Sequence, residues 1–216
     1  VLRQLWGGIQ YIGANRVFAV LIPLTYFNHF FGLSYLQLIP VFSDDYGSQD
    51  DQALGFLLMS AGIGAVLGTM MTGWLRSAFP AGKVMLLGSA TTAGGMVAFG
   101  LWTGFGPDPI GYTNPIISPM FFLSALLIMI AAVSNSVFLI TSMTILQLRV
   151  PVELRGRVMG IHAMTFSLIA VGGLFMGGVA ELASASFAVG VSAIVLFMVV
   201  VFVFLTQPLI RGLQAE

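Results

Sequence analysis

Gln147 to Gly160 reads QLRVPVELRGRVMG, and once this stretch is placed on one side of a membrane the rest of the chain falls into position. It is the most charged piece of an otherwise oily sequence, carrying Arg149, Glu153, Arg155 and Arg157 between two long apolar runs. Three of the eight basic residues of the chain lie in it. Of all residues 58% are hydrophobic and only 7% are charged. A water-soluble domain carries roughly 25% charged residues, so this composition cannot cover a surface facing water. Length is therefore counted in membrane spans of about 20 apolar residues each. Cysteine is absent, which excludes disulfides and thiolate metal sites. The sequence opens on Val1, with no basic-then-apolar cleavable leader, and reads as a piece of a longer polypeptide.

Six runs are long and apolar enough to span, at about 17–42, 52–75, 84–105, 120–146, 158–180 and 187–206. Residues 1–16 are too polar to cross. Leu2, Leu5, Trp6, Ile9 and Ile12 recur there near helical spacing, which predicts an interfacial helix. Pro23, Asn28, His29 and Pro40 interrupt the first span. The fold class is thus all-α, a polytopic membrane protein of six transmembrane helices.

Charge sorts the loops. Arg3, Arg16, Arg76, Lys83, Arg149, Arg155, Arg157 and Arg211 fall on one face of a six-span arrangement. The opposite loops hold Asp44, Asp45, Asp50, Asp51, Asp108 and Glu181 and no basic residue. The positive-inside rule then puts both termini in the cytoplasm. Trp6 and Trp74 sit near the inner interface, and Tyr46, Trp102 and Tyr112 near the outer one, as anchoring aromatics do. A weak internal echo supports the count. Gly64 and Gly68 of the second span are repeated, 109 positions on, as Gly173 and Gly177 of the fifth, which runs the opposite way. That is the pattern of an inverted three-plus-three repeat. The four glycines read as helix-packing positions, not as ligand sites.

The loop VPVELRGRVMG, the run GIGAVLG and the leading WGGIQYI together resemble the major facilitator superfamily. More narrowly they resemble its drug:proton antiporter branch, which includes siderophore and macrolide exporters. The resemblance covers essentially the whole chain but only the C-terminal half of a twelve-span member, so these spans correspond to the seventh to twelfth. The family signature Gly-x-Leu-x-Asp-Arg-x-Gly-Arg is reduced here to Gly73, Leu75, Arg76, Gly82 and Lys83, without its Asp. A charge-relay latch at this connector therefore lacks its carboxylate.

Polar groups at mid-bilayer are costly and mark function by default. His29 lies at the centre of the first span beside Asn28 and near Tyr26, and Asn135 lies between Ser134 and Ser136 at the centre of the fourth. In the resembled fold these two spans line the substrate cavity, which makes Tyr26, Asn28, His29, Ser134 and Asn135 the cavity candidates. An imidazole takes up a proton near neutral pH, so His29 is also a candidate for proton coupling. The competing reading of His29 and Asn135 is simple hydrogen bonding between helices. His162 reads as interfacial packing near the basic face, and Glu181 as a solvated loop carboxylate. Arg76, Lys83, Arg149, Glu153, Arg155 and Arg157 form a candidate cytoplasmic gate, closing by ion pairs with the missing half. Their simpler role is topology and attraction to anionic lipid, worth about 1 kcal/mol per basic residue.

No metal-spaced cluster, phosphate-cradling loop or catalytic set is present, which argues against an enzyme, a metal centre or a cofactor. No basic patch suggests nucleic acid. The resemblance implies a secondary transporter of the cell (inner or plasma) membrane that exports a small amphipathic drug or siderophore against protons. Its implied partners are that small molecule, protons, the lipid bilayer, and the N-terminal six-helix half or a second copy. The alternative of another class is a non-transporting six-span scaffold or partner subunit.

Overall fold

A computed structural model describes residues 2–45, 52–106 and 118–214. Tyr46, Asp50, Asp51, Asp108 and Tyr112, and the side chains of Leu2, Arg3, Leu5 and Asp45, lie outside the described residues. Every described element is helical, and six helices are long and apolar enough to cross a membrane. They run over Arg16–Asp44, Gln52–Ala78, Ala81–Phe105, Pro119–Arg149, Val152–Leu182 and Ala185–Thr206, and are numbered spans 1 to 6.

A leading helix, Leu2–Ala14, lies across the foot of span 5. Gly7 and Gly8 permit that approach: a Cβ on Gly8 would stand 2.9 Å from Ile161 Cδ1, and one on Gly7 3.3 Å from the Arg157 guanidinium. Its outer side leaves Trp6 and Ile9 exposed, the amphipathic division suited to an interface. Asn15 then takes extended backbone, and its Oδ1 accepts from the Val17 amide at 3.0 Å, capping span 1.

Span 1 is not one α-helix. Arg16–Phe27 is α-helical, Asn28–Leu33 is a π-helix, Ser34–Gln37 is a 3₁₀ turn, and Ile39–Asp45 is α-helical again. Span 5 is interrupted too. Val152–Ala163 and Ser167–Leu182 are α-helical, with a 3₁₀ turn at Met164–Phe166 between them. Spans 2, 3, 4 and 6 run without a break.

The charged stretch that reads as a loop is mostly helix. Span 4 continues to Arg149, only Val150 and Pro151 leave helical geometry, and span 5 starts at Val152. Pro151 forces the reversal, because the residue before a proline avoids helical backbone while proline suits a helix start. Val150 is accordingly extended, with φ −81° and ψ 127°. Glu153 then falls in the first turn of span 5, where a carboxylate complements the helix dipole.

Span 4 packs against both span 2 and span 3, span 3 also against span 6, and span 5 against span 1 and span 6. The pairing of span 2 with span 4 and of span 5 with span 1 is the part that matches an inverted repeat. Gly64 and Gly68 make the first pair tight: Cβ atoms there would strike the carbonyls of Met129 and Val133. In span 5 the corresponding contact falls one residue before the expected pair. A Cβ on Gly172 would strike the Phe30 carbonyl and the Ser34 hydroxyl, while one on Gly173 meets only the Gln37 side chain, at 2.6 Å. Gly177 has nothing within 4 Å of its Cβ position, so it makes no close helix approach within this chain.

Basic residues gather at one end. Arg149 donates to the Gln214 carbonyl at 2.9 Å, and the Gly82 amide donates to the Leu213 carbonyl at 3.1 Å. The segment after Pro208 is thus folded back over the start of span 3 and the end of span 4.

Candidate functional site

The buried apolar residues form two clusters, not one. One gathers the basic half of the spans, including Phe18, Leu21, Met85, Phe138, Val158 and Leu196. The other gathers the opposite half, including Phe42, Leu57, Phe99, Phe121, Ile128 and Met176. Between them lies a belt of buried polar side chains near the middle of the helices. Span 1 contributes Thr25, Asn28, His29 and Ser34; span 3 contributes Ser89 and Thr92; span 4 contributes Ser134 and Asn135. Span 5 adds His162 and Thr165, and span 6 adds Ser192. Buried polar groups away from water are costly unless bonded, so the distribution of their partners shows what the belt can do.

Several hydroxyls are answered by the backbone. Thr25 donates to the Leu21 carbonyl at 2.9 Å, Ser134 to Ile130 at 2.9 Å, and Thr165 to His162 at 2.7 Å. This back-bonding within one helix satisfies the hydroxyl at little cost. Thr92 bonds Gly88 at 2.9 Å and reaches the Ala131 carbonyl of span 4 at 3.4 Å. Ser34 donates to the His29 carbonyl at 3.2 Å and to Ile169 of span 5 at 3.1 Å, which ties the 3₁₀ turn of span 1 across the seam.

The larger side chains are only half answered. Asn28 Nδ2 donates to Ser89 Oγ at 3.0 Å, and Asn28 Oδ1 has no partner. His29 Nδ1 lies 2.8 Å from the Thr25 carbonyl. A carbonyl only accepts, so Nδ1 carries the hydrogen and Nε2 presents a lone pair, which has no partner. Asn135 Oδ1, His162 Nδ1 and Ser192 Oγ are likewise buried without one. The belt is therefore rich in unanswered acceptors, the arrangement that receives a donor or a proton.

The expected cavity residues share the belt but do not converge on one cavity. Asn28 faces span 3 through Ser89, and His29 faces span 5, its ring 4.9 Å from that of Phe166 and nearly perpendicular to it. Tyr26 lies on the same seam, its hydroxyl donating to the Ile161 carbonyl of span 5 at 2.9 Å. Ser134 instead lines a cavity of about 250 Å³ among spans 2, 3 and 4, with Met71, Leu75, Leu87 and Val137. Asn135 is 4% exposed.

His162 is the residue that sequence reasoning set at the interface and the structure buries. With span 5 starting at Val152, it lies ten residues in, about 15 Å along the helix at 1.5 Å per residue. The signal was Pro151, which fixes the helix start earlier than the end of the charged run.

The gate candidates stay at the basic end. Arg76 Nη1 donates to Thr144 Oγ1 of span 4 at 3.2 Å, while its Nε is buried without a partner. It lines a cavity of about 330 Å³ with Phe79, Pro80 and Gln214. Lys83, Arg149, Glu153, Arg155 and Arg157 are exposed, and Glu181 is exposed at the other end of span 5. Among the described residues no group of three or more His, Asp or Glu side chains is placed to hold a metal ion.

A family model described as Major Facilitator Superfamily matches residues 5–214. No curated protein and no solved structure matches the chain.

Proposed function

The chain belongs to the major facilitator superfamily, and from that membership we propose that it forms the C-terminal half of a secondary transporter exporting a small amphipathic molecule, a drug or siderophore, against entering protons. Membrane transport is the business of the family. The observation that supports a transport mechanism in this chain is the polar belt, crossed by two spans that lose α-helical geometry at its level. Secondary transporters place their binding sites near mid-membrane, where interrupted helices free backbone and side-chain groups. A π-helix inside a helix is itself a frequent mark of a functional position.

In this reading Tyr26, Asn28, His29, Ser134 and Asn135 become accessible to substrate when the seams around the belt part. The exposed Arg149, Glu153, Arg155 and Arg157, with Arg76 and Lys83, pair with the N-terminal six-helix half, or with a second copy, to close the cytoplasmic side. The gathering of basic residues at one end favours a cytoplasmic location for both termini, in an inner or plasma membrane.

The test is efflux of a panel of hydrophobic drugs and siderophores from cells expressing the full-length parent gene. Wild type is compared with the double variant His29→Ala, Asn135→Ala at equal membrane abundance, with and without a protonophore. Protonophore-sensitive efflux that disappears in the double variant is the expected result. Efflux that survives the substitutions discards these sites, and efflux indifferent to the protonophore discards proton drive.

A further inference from the structure

Spans 1 and 5 run side by side in one direction and hold one register. Tyr26 bonds Ile161 and Ser34 bonds Ile169, and each pair is 135 positions apart. Within that register both spans lose α-geometry at the same level, span 1 over Asn28–Leu33 and span 5 over Met164–Phe166. His29, at 0% exposure, lies in the break of span 1, and His162, at 4%, two residues before the turn of span 5. The His29 ring crosses the seam to Phe166, four residues beyond His162. Its Nε2 lone pair is unanswered, and Nδ1 of His162 is buried without a partner.

We propose that His29 and His162 form one proton-binding site at the paired breaks of spans 1 and 5, taking up a single proton whose passage drives transport. The inference rests on the proton-driven reading above and names the carrier that reading requires. In the uptake step the His29 Nε2 lone pair forms an N–H bond with a proton given up by hydronium, which leaves as water. No other bond breaks. A second proton on His162 would set two cations together in an apolar interior, so the pair refuses it and titrates as a unit.

Among the described residues no carboxylate stands at this level to neutralise the charge. On span 1, Arg16 lies at the foot, Asp44 at the far end, and Tyr26 and Tyr35 to either side of the break. On span 5, Glu153, Arg155 and Arg157 occupy the first turns and Glu181 the last. The Arg157 guanidinium is turned onto Gly7 of the leading helix, where Tyr11 is the other titratable group with a described side chain. Span 3 brings only Lys83 and span 4 only Arg149, both at the basic end, and span 6 brings none. An imidazolium in such surroundings is costly, so protonation favours parting of the seam and entry of water. That gives the proton a direct mechanical effect on the two interrupted helices.

The experiment uses the full-length protein in lipid nanodiscs with ¹⁵N-labelled histidine rings, titrated by NMR from about pH 8 to about pH 5. His29→Gln and His162→Gln supply assignments, and an unchanged melting profile shows that each folds. The expected result is one common curve for the two rings, totalling one proton. Two independent curves, or a His29 curve unmoved by His162→Gln, would overturn the proposal. In parallel, reconstituted vesicles are given an imposed proton gradient and ethidium as probe. Wild type should move the dye uphill, and both Gln variants should lose uphill movement, with His162→Gln, which lies outside the substrate residues, keeping downhill exchange. Uphill movement retained by the variants sinks the histidine pair and leaves proton drive standing. A wild type that moves ethidium only downhill sinks proton drive itself, and with it the proposed role of the pair.

Discussion

Gly172→Ala should destabilise the protein although it places a better helix former inside a helix. Gly172 is buried where span 5 meets the interrupted part of span 1, and the added methyl would strike the Phe30 carbonyl and the Ser34 hydroxyl. Ser34 cannot swing aside freely, because its hydroxyl is bonded to His29 at 3.2 Å and to Ile169 at 3.1 Å. Overpacking a close contact costs about 1–3 kcal/mol. Losing one interhelical hydrogen bond inside a membrane adds about 0.6 kcal/mol. The gain from replacing glycine by alanine in a helix is about 1 kcal/mol. The net expectation is a loss of about 0.6–2.6 kcal/mol. The control is Gly94→Ala in span 3, where a Cβ meets nothing within 4 Å. That variant should gain up to about 1 kcal/mol. Titration of the purified full-length protein with SDS in mixed micelles, followed by tryptophan fluorescence, resolves the difference. Gly172→Ala with wild-type stability to within about 0.5 kcal/mol would refute the close approach of spans 1 and 5.

Two further predictions concern other contacts. A Cβ on Gly82 would collide with the Ile210 carbonyl and lie 3.2 Å from Leu213 Cβ, so Gly82→Ala should lift the C-terminal segment from the start of span 3. Trypsin should then cut after Arg211 about fivefold faster or more, corresponding to about 1 kcal/mol of lost contact; an unchanged rate would show that the segment is not held there. For the Asn28–Ser89 bond, a double-mutant cycle with Asn28→Ala and Ser89→Ala should return a coupling of about 0.6 kcal/mol, and at most about 1.7 kcal/mol. A coupling of zero would mean that the two side chains are neighbours without a bond.

Six helices were legible because a span is a property of composition, set by some twenty apolar residues between charges. The breaks were legible only in part. Pro23, Asn28, His29 and Pro40 mark span 1 as irregular, yet neither proline lies within the π-helix at Asn28–Leu33. Tertiary contacts attend it: Gly32 lies under Leu196 of span 6, and Ser34 is drawn to span 5. The 3₁₀ turn at Met164–Phe166 contains neither proline nor glycine and coincides with the Thr165 hydroxyl bonding the His162 carbonyl. Sequence alone carries no such partner information. Among the glycines, Gly64 and Gly68 of span 2 meet carbonyls of span 4, whereas the contact in span 5 falls at Gly172, one residue before Gly173. One residue is about 100° of helix rotation, and only the neighbouring helix decides which side is inward.

The inverted repeat predicts two equivalent seams, and their difference says where motion belongs. The seam of spans 2 and 4 joins two unbroken α-helices, with Gly64 and Gly68 set against backbone carbonyls. Both helices satisfy their own backbones, so that contact moves as a block. The seam of spans 1 and 5 joins two helices interrupted at one depth, where side chains such as Ser34, Thr165 and His29 engage backbone carbonyls. Bonds of that kind can exchange partners without unfolding a turn of α-helix. Rearrangement within these six spans therefore concentrates at spans 1 and 5, and the belt histidines sit where such a movement would change their access to water. A cross-link between spans 2 and 4 should leave transport intact, whereas one between spans 1 and 5 at the level of the breaks should stop it.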